Sequence, residues 1–147
     1  MSLKESKFIY DVVIIGGVGR VGLPLGISLA DKKLKVLLYD IDLNRLNIVK
    51  NGKMPFIEYG AEKILKKNIK NKNISISSSS EDISKAKNVI ITIGTPIDEY
   101  LSPKFNSFLL FFSKINKYLR NKQNVIIRSS VYPGTCSVIQ SKFNKKN

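Results

Sequence analysis

At 147 residues, with 43% hydrophobic and 24% charged residues, the chain is long enough to bury the core of one domain and short for a two-domain enzyme. Its formal net charge is +14, its one cysteine is Cys136, and it contains no histidine. That inventory excludes an internal disulfide, a cysteine metal cluster, histidine acid–base chemistry and the usual zinc sites.

No apolar run reaches the roughly 18 residues of a membrane span, and the opening MSLKESK is polar rather than a leader. The expectation is a cytoplasmic chain without contact to a membrane. The positive charge raises the possibility of a nucleic-acid partner. However, Lys63, Lys66, Lys67, Lys70, Lys72, Lys85, Lys87, Lys114, Lys117, Lys142, Lys145 and Lys146 are scattered, mostly beside asparagines, and no aromatic signature interleaves with them. A solvated lysine-rich surface, balanced by an acidic region elsewhere, accounts for this pattern better than a nucleic-acid interface.

The apolar run Tyr10 to Ile15 predicts a strand covered on both faces, which favours a parallel sheet. Gly17, Gly19 and Gly22 follow at G-x-G-x-x-G spacing. Gly17 permits a tight turn off the strand, Gly19 lets backbone approach a pyrophosphate, and Gly22 lets helix and strand pack closely. The helix, about Arg20 to Asp31, carries Val21, Leu25 and Leu29 at four-residue spacing, with Pro24 tolerated in the first turn. Its unpaired first amides lie at the positive end of the macrodipole, where a phosphate gains hydrogen bonds and charge stabilisation together. A second strand, Leu34 to Tyr39, ends at Asp40, eighteen positions after Gly22 and close to the roughly 20 expected of an acid that bonds an adenosine ribose. A purely structural glycine turn would carry the same glycines; the strand, helix and Asp40 around them favour a dinucleotide site. Asp40 would repel a 2′-phosphate, so NAD is preferred to NADP, with Arg45 the one feature that speaks for the latter.

A second helix begins at Asp42, turns Leu43, Leu46 and Val49 inward and stops at Asn51-Gly52. The loop KMPFIEYG, Lys53 to Gly60, is unusually apolar; it either folds over the core or forms a lid near a ligand. A helix over about Ala61 to Ile69 and a strand over Ile74 to Ser77 come next. The serine run Ser77 to Ser80 then reads as a turn capping a helix at Glu81 and Asp82. The strand Asn88 to Ile93 ends in Gly94-Thr95-Pro96, at the strand end where open α/β sheets bind ligands. The helix FNSFLLFFSKINKYLR has a stripe of Phe105, Phe108, Leu109, Phe112 and Ile115, with Leu110 and Phe111 outside it, so burial on more than one side is expected. A strand Asn124 to Arg128 leads through Ser129-Ser130 and VYPGT into a last helix, Thr135 to Phe143. The alternation of strand and helix predicts a Rossmann-type doubly wound parallel sheet of five strands, order 3-2-1-4-5, in three layers and filling one domain over 1–147. The unpaired fifth strand and the phenylalanine-rich helix point to self-association, as a homodimer or otherwise.

Four stretches, GGVGRVGLPLG, YDID, IGTP and SSVYPGT, together resemble the nucleotide-sugar 6-dehydrogenases, which include the UDP-glucose, GDP-mannose and UDP-N-acetylmannosamine dehydrogenases. Their order and spacing match over nearly the whole chain. The resemblance implies NAD-dependent oxidation of a sugar C6 alcohol, through an aldehyde, to a carboxylate. It implies that Gly17, Gly19, Arg20, Val21 and Gly22 wrap the pyrophosphate, that Asp40 binds the adenosine ribose, and that Arg45 flanks the adenine end. Gly94, Thr95 and Pro96 would lie along the middle of the cofactor. Ser130 would reach the nicotinamide side and help place the hydrolytic water. Glu58 matches a family glutamate without an assigned role.

Such enzymes also use a cysteine nucleophile, a lysine, an aspartate, a long central helix and a sugar-nucleotide domain that do not appear in this sequence. Cys136 follows the PGT turn, where the family has no catalytic cysteine. The chain should therefore hold NAD, meet its nucleotide-sugar substrate through the missing domain, and turn over little alone. A regulatory NAD-sensing module, of the kind that gates potassium transport, is the alternative; it has no reason to carry the GTP and PGT turns.

Overall fold

The computed structural model describes residues 8–94 and 105–143. Its elements run β1 (Tyr10–Ile15), α1 (Gly22–Asp31), β2 (Val36–Tyr39), α2 (Leu43–Lys50), α3 (Ala61–Lys70), β3 (Ile74–Ser77), a 3₁₀ turn (Ser80–Lys85), β4 (Ala86–Ile91), α4 (Phe105–Asn116), β5 (Asn124–Ile127) and α5 (Thr135–Phe143). The strands form one parallel sheet in the order β3-β2-β1-β4-β5, as the alternation predicts. The order reverses between β1 and β4, and that reversal opens a crevice at the carboxyl ends of these strands.

β1 is central, and its side chains alternate between two cores. Val12 and Ile14 join Leu23, Ile27, Leu38 and Leu65 on the side of α1 and α3. Val13 and Ile15 join Phe108, Phe112, Ile115 and Ile139 on the side of α4 and α5. Burial on both faces is why β1 and β2 read as unbroken apolar runs rather than alternating ones.

Two helices depart from their sequence-based stripes. α1 starts at Gly22 rather than Arg20, and its deepest face is Gly22, Leu23, Gly26, Ile27 and Ala30, not Val21, Leu25 and Leu29. Small residues bring the helix axis so near the sheet that they occupy the contact line. Leu25 and Leu29 then pack from the flank, and Val21 stays 46% exposed. In α4, Phe111 does reach the core, as one of three rings with centroids 5.2 to 6.1 Å apart, whereas Leu110 faces out at 64% exposure. Leu43 also faces out, leaving Leu46 and Val49 as the buried side chains of α2.

Polar side chains fix the connections. Asp42 caps α2 by accepting from the Arg45 amide at 3.0 Å. The serine run makes no side-chain cap; Ser77 Oγ instead donates to Asp82, which also pairs with Lys85. Buried Asn68 accepts from Asn73 Nδ2 at 3.0 Å and donates to the Ile64 carbonyl, tying α3 to the start of β3. Gln123 Nε2 donates to the Ile83 and Ala86 carbonyls, which anchors β5 beside β4. None of the described helices is long and apolar enough to cross a membrane.

Leu38 is fully buried against α1, so Leu38→Ala should cost about 2–5 kcal/mol. Leu110→Ala should change stability by no more than about 0.5 kcal/mol. Denaturant unfolding checks both, and similar losses in the two variants would contradict this division between core and surface.

Candidate functional site at the sheet's carboxyl edge

The chain leaves β1 through Gly16, whose φ of +82° lies in the left-handed region. Gly16, one residue before the fingerprint's first glycine, is therefore the residue that permits the turn. Gly17 matters for a different reason: a Cβ there would stand 2.8 Å from Leu38 Cα and 2.9 Å from the Ile14 carbonyl oxygen. Gly22 is the tightest point, since its Cβ would be 2.2 Å from the Gly16 carbonyl oxygen and 2.8 Å from Thr92 Oγ1. Gly19 sits at the rim of the turn, where its amide donates to the Gly16 carbonyl at 3.1 Å.

The consequence is a backbone cradle. The amides of Val18, Gly19 and Leu23 are engaged by Asp40, Gly16 and Gly19 respectively. Among the described residues none of the backbone hydrogen bonds uses the amides of Arg20, Val21 or Gly22. These three donors stand at the positive end of α1, which carries no acidic residue in its first turn. An anionic phosphate suits such a place.

Asp40 closes the other side. Its Oδ2 accepts from the Val18 amide at 3.2 Å, and its Oδ1 accepts from the Ile41 and Asp42 amides at 2.8 and 3.2 Å. One carboxylate thus locks the glycine turn to the end of β2. Two carboxylate oxygens offer about four acceptor positions, so one remains for a hydroxyl donor. Arg45 is nearby in sequence but pairs with Asp42 at 3.4 Å on the exposed start of α2. Arg20 lies over the Phe56 ring at 5.6 Å. That contact joins the two readings of the Lys53–Gly60 loop: Met54 and Phe56 pack on the core while Ile57, Glu58 and Tyr59 remain exposed.

Across the reversal point lies a groove of about 560 Å³, lined by Val21, Thr92, Ile93, Gly94, Arg128, Ser129, Ser130, Val131, Tyr132 and Pro133. The structure thus brings Val21, Gly94 and Ser130 together, while Thr95 and Pro96 lie outside the described residues. Thr92, Ser129 and Arg128 are among the lining residues not singled out from sequence. Thr92 Oγ1 donates to the Ile15 carbonyl at 2.9 Å and reaches the Gly16 carbonyl at 3.3 Å, which holds the glycine turn from below. Ser129 Oγ donates to the Ile93 carbonyl at 2.7 Å, drawing the ends of β4 and β5 together. Arg128 stands where β5 opens into the groove. A polar residue ending an apolar strand was the available signal for Thr92.

Residues 11–147 match the family described as "UDP-glucose/GDP-mannose dehydrogenase family, NAD binding domain". The chain belongs to this family. Its cofactor is accordingly NAD. Among relatives, Protein CapL of Staphylococcus aureus is 31% identical over 137 residues, covering 90% of this chain and 31% of that protein. The UDP-N-acetyl-D-glucosamine 6-dehydrogenase of Pseudomonas aeruginosa is 30% identical over 136 residues, covering 90% of this chain and 31% of that protein. The crystal structure of a ternary complex of GDP-mannose dehydrogenase from Pseudomonas aeruginosa has the same fold, with a TM-score of 0.83 at 21% identity over 92% of this chain and 32% of that one. The chain thus spans about a third of the length of the family members it matches.

Gly22→Ala should destabilise the glycine turn by about 1–3 kcal/mol, because the Gly16 carbonyl is backbone and cannot yield. A Cβ at Gly94 would meet nothing within 4 Å, so Gly94→Ala should be close to neutral. Thermal unfolding distinguishes them, and an equal response would contradict the close approach of α1.

Proposed function

We propose that this chain is the NAD-holding part of a nucleotide-sugar 6-dehydrogenase, which oxidises the C6 alcohol of a UDP- or GDP-sugar to the uronic acid in two NAD-dependent steps. Residues 1–147 form the single cofactor domain in this reading, and the sugar nucleotide is met through the further part of the enzyme that the longer relatives have room for. The observation that carries it is the cradle: three free amides at α1 and a half-buried carboxylate at the end of β2, open toward a groove at β4 and β5.

The amides of Arg20, Val21 and Gly22 take the pyrophosphate, with Gly17 and Gly19 clearing its approach. The Arg20 side chain, held over Phe56, adds a cation at the rim. The remaining acceptor position of Asp40 takes a ribose hydroxyl, and Arg45 flanks the adenine end. Gly94, with Thr95 and Pro96, borders the middle of the cofactor. Ser130, on the groove, faces the nicotinamide end, where its hydroxyl orients the carbonyl or the attacking water. The bound cofactor supplies the hydride acceptor. The chain's own residues bind it and exclude water from one side of it; the substrate-side nucleophile belongs to the rest of the enzyme, and exposed Cys136 takes no part. A cytoplasmic location and self-association along β5 complete the proposal, since Val125 and Ile126 on that edge strand are 37% and 46% exposed.

The purified chain should bind NAD and show no dehydrogenase turnover. Asp40→Ala removes both the hydroxyl acceptor and the bond to Val18, and should weaken NAD binding by about tenfold or more, equivalent to about 1.4 kcal/mol. Calorimetric titration checks this, and unchanged affinity would remove Asp40 from the site. Light scattering should give a mass above that of a monomer; a strict monomer at high concentration would refute self-association.

A further inference from the structure

We propose that Arg128 biases the bound cofactor toward its reduced form, an inference that rests on the nicotinamide end lying in the groove beside Ser130. Three observations place the charge. The Arg128 amide still pairs with the Ile91 carbonyl at 2.9 Å, so extended pairing continues one residue past β5. Ile127 packs into the core shared with α4 and α5, and Ile126 is in register with Ile90 and Ile14, which belong to the α1 side. Alternation therefore sends Arg128 to the α1 side of the sheet, where Val21 lines the same groove.

Among the described residues the groove supplies no counter-charge to Arg128. The other nine residues lining the groove are uncharged. The ion pairs among the described residues engage Arg45, Lys66, Lys67 and Lys85 instead. A guanidinium stays protonated at any working pH.

The redox step changes the charge in the same groove. As the alcohol C–H bond breaks, two electrons and one proton pass as hydride to the nicotinamide ring, and the alcohol's O–H proton passes to water or a base. The ring changes from +1 to neutral. Arg128 opposes the first state and is indifferent to the second, so it loosens NAD⁺ relative to NADH. Any attraction of Arg128 for the cofactor phosphates acts on both forms alike and cancels in the ratio. Arg128 is exposed, so at a separation of about 7 Å an effective dielectric between about 40 and 80 makes the preference about three- to sevenfold. Chemically, this favours oxidation of the sugar while both forms of the cofactor stay bound at the same cradle.

The test is equilibrium binding of NAD⁺ and NADH, separately, to the 147-residue chain and to its R128Q and R128K variants at low and high salt, with circular dichroism as the fold control. The wild-type chain should favour NADH. R128Q should reduce that preference about three- to sevenfold, R128K should retain it, and salt should reduce it. If both nucleotides bind and R128Q leaves the ratio unchanged, or weakens both equally, the inference is overturned and the cofactor site stands. If neither nucleotide binds the wild-type chain, the reading of the site fails, and the inference with it.

Discussion

The approach of α1 to the end of β1 is the constraint on which the rest of the structure depends. Gly22 sits where a single methyl group would overlap the Gly16 carbonyl, and Gly26 and Ala30 continue the same contact line along the helix. This closeness brings the first amides of α1 up against the sheet edge. It also frees them, because the turn from Gly16 to Val21 folds beneath the helix instead of capping it, and Val21, the residue before the helix, makes no side-chain cap. Capping by a serine or aspartate would stabilise most helix starts by about 1 kcal/mol, but here it would occupy the donors that a phosphate needs.

Supports from neighbouring strands hold the turn in shape. Thr92 at the end of β4 donates to the last carbonyl of β1, and Asp40 at the end of β2 accepts from Val18 inside the turn. The turn is therefore gripped from both sides by the strands flanking β1 in the sheet. Ser129 extends the same arrangement outward by binding the Ile93 carbonyl, so the groove wall at β5 is tied to the wall at β4. These polar contacts at strand ends give the crevice a defined form above the two apolar cores.

Much of this was legible in the sequence because it depends on local spacing. The apolar run before Gly17, the acid at Asp40 and the alternation of elements are enough to give the sheet order and the place of the glycine turn. The resemblance in GGVGRVGLPLG, IGTP and SSVYPGT adds the family. What escaped the sequence depends on tertiary distance. The face of α1 that meets the sheet is chosen by how near the axis lies, not by which residues are largest, so Leu25 and Leu29 lose the central place to Gly26 and Ala30. The turn-permitting role moved from Gly17 to Gly16 because positive φ belongs to the first residue past the strand, while Gly17 faces Leu38 across the sheet. Thr92 and Gln123 act through bonds to residues about 77 and 40 positions away, which no local pattern reveals.

The cradle and the groove are distinct parts of one edge, and a single ligand spanning both is the central claim. An NMR titration of the isotopically labelled chain with NAD tests it most directly. The amides of Val18 to Gly22, Asp40, Gly94 and Ser130 should shift together in one saturable transition, with the lysine-rich surface of α3 unmoved. Shifts confined to α3, or to the groove without the glycine turn, would contradict it.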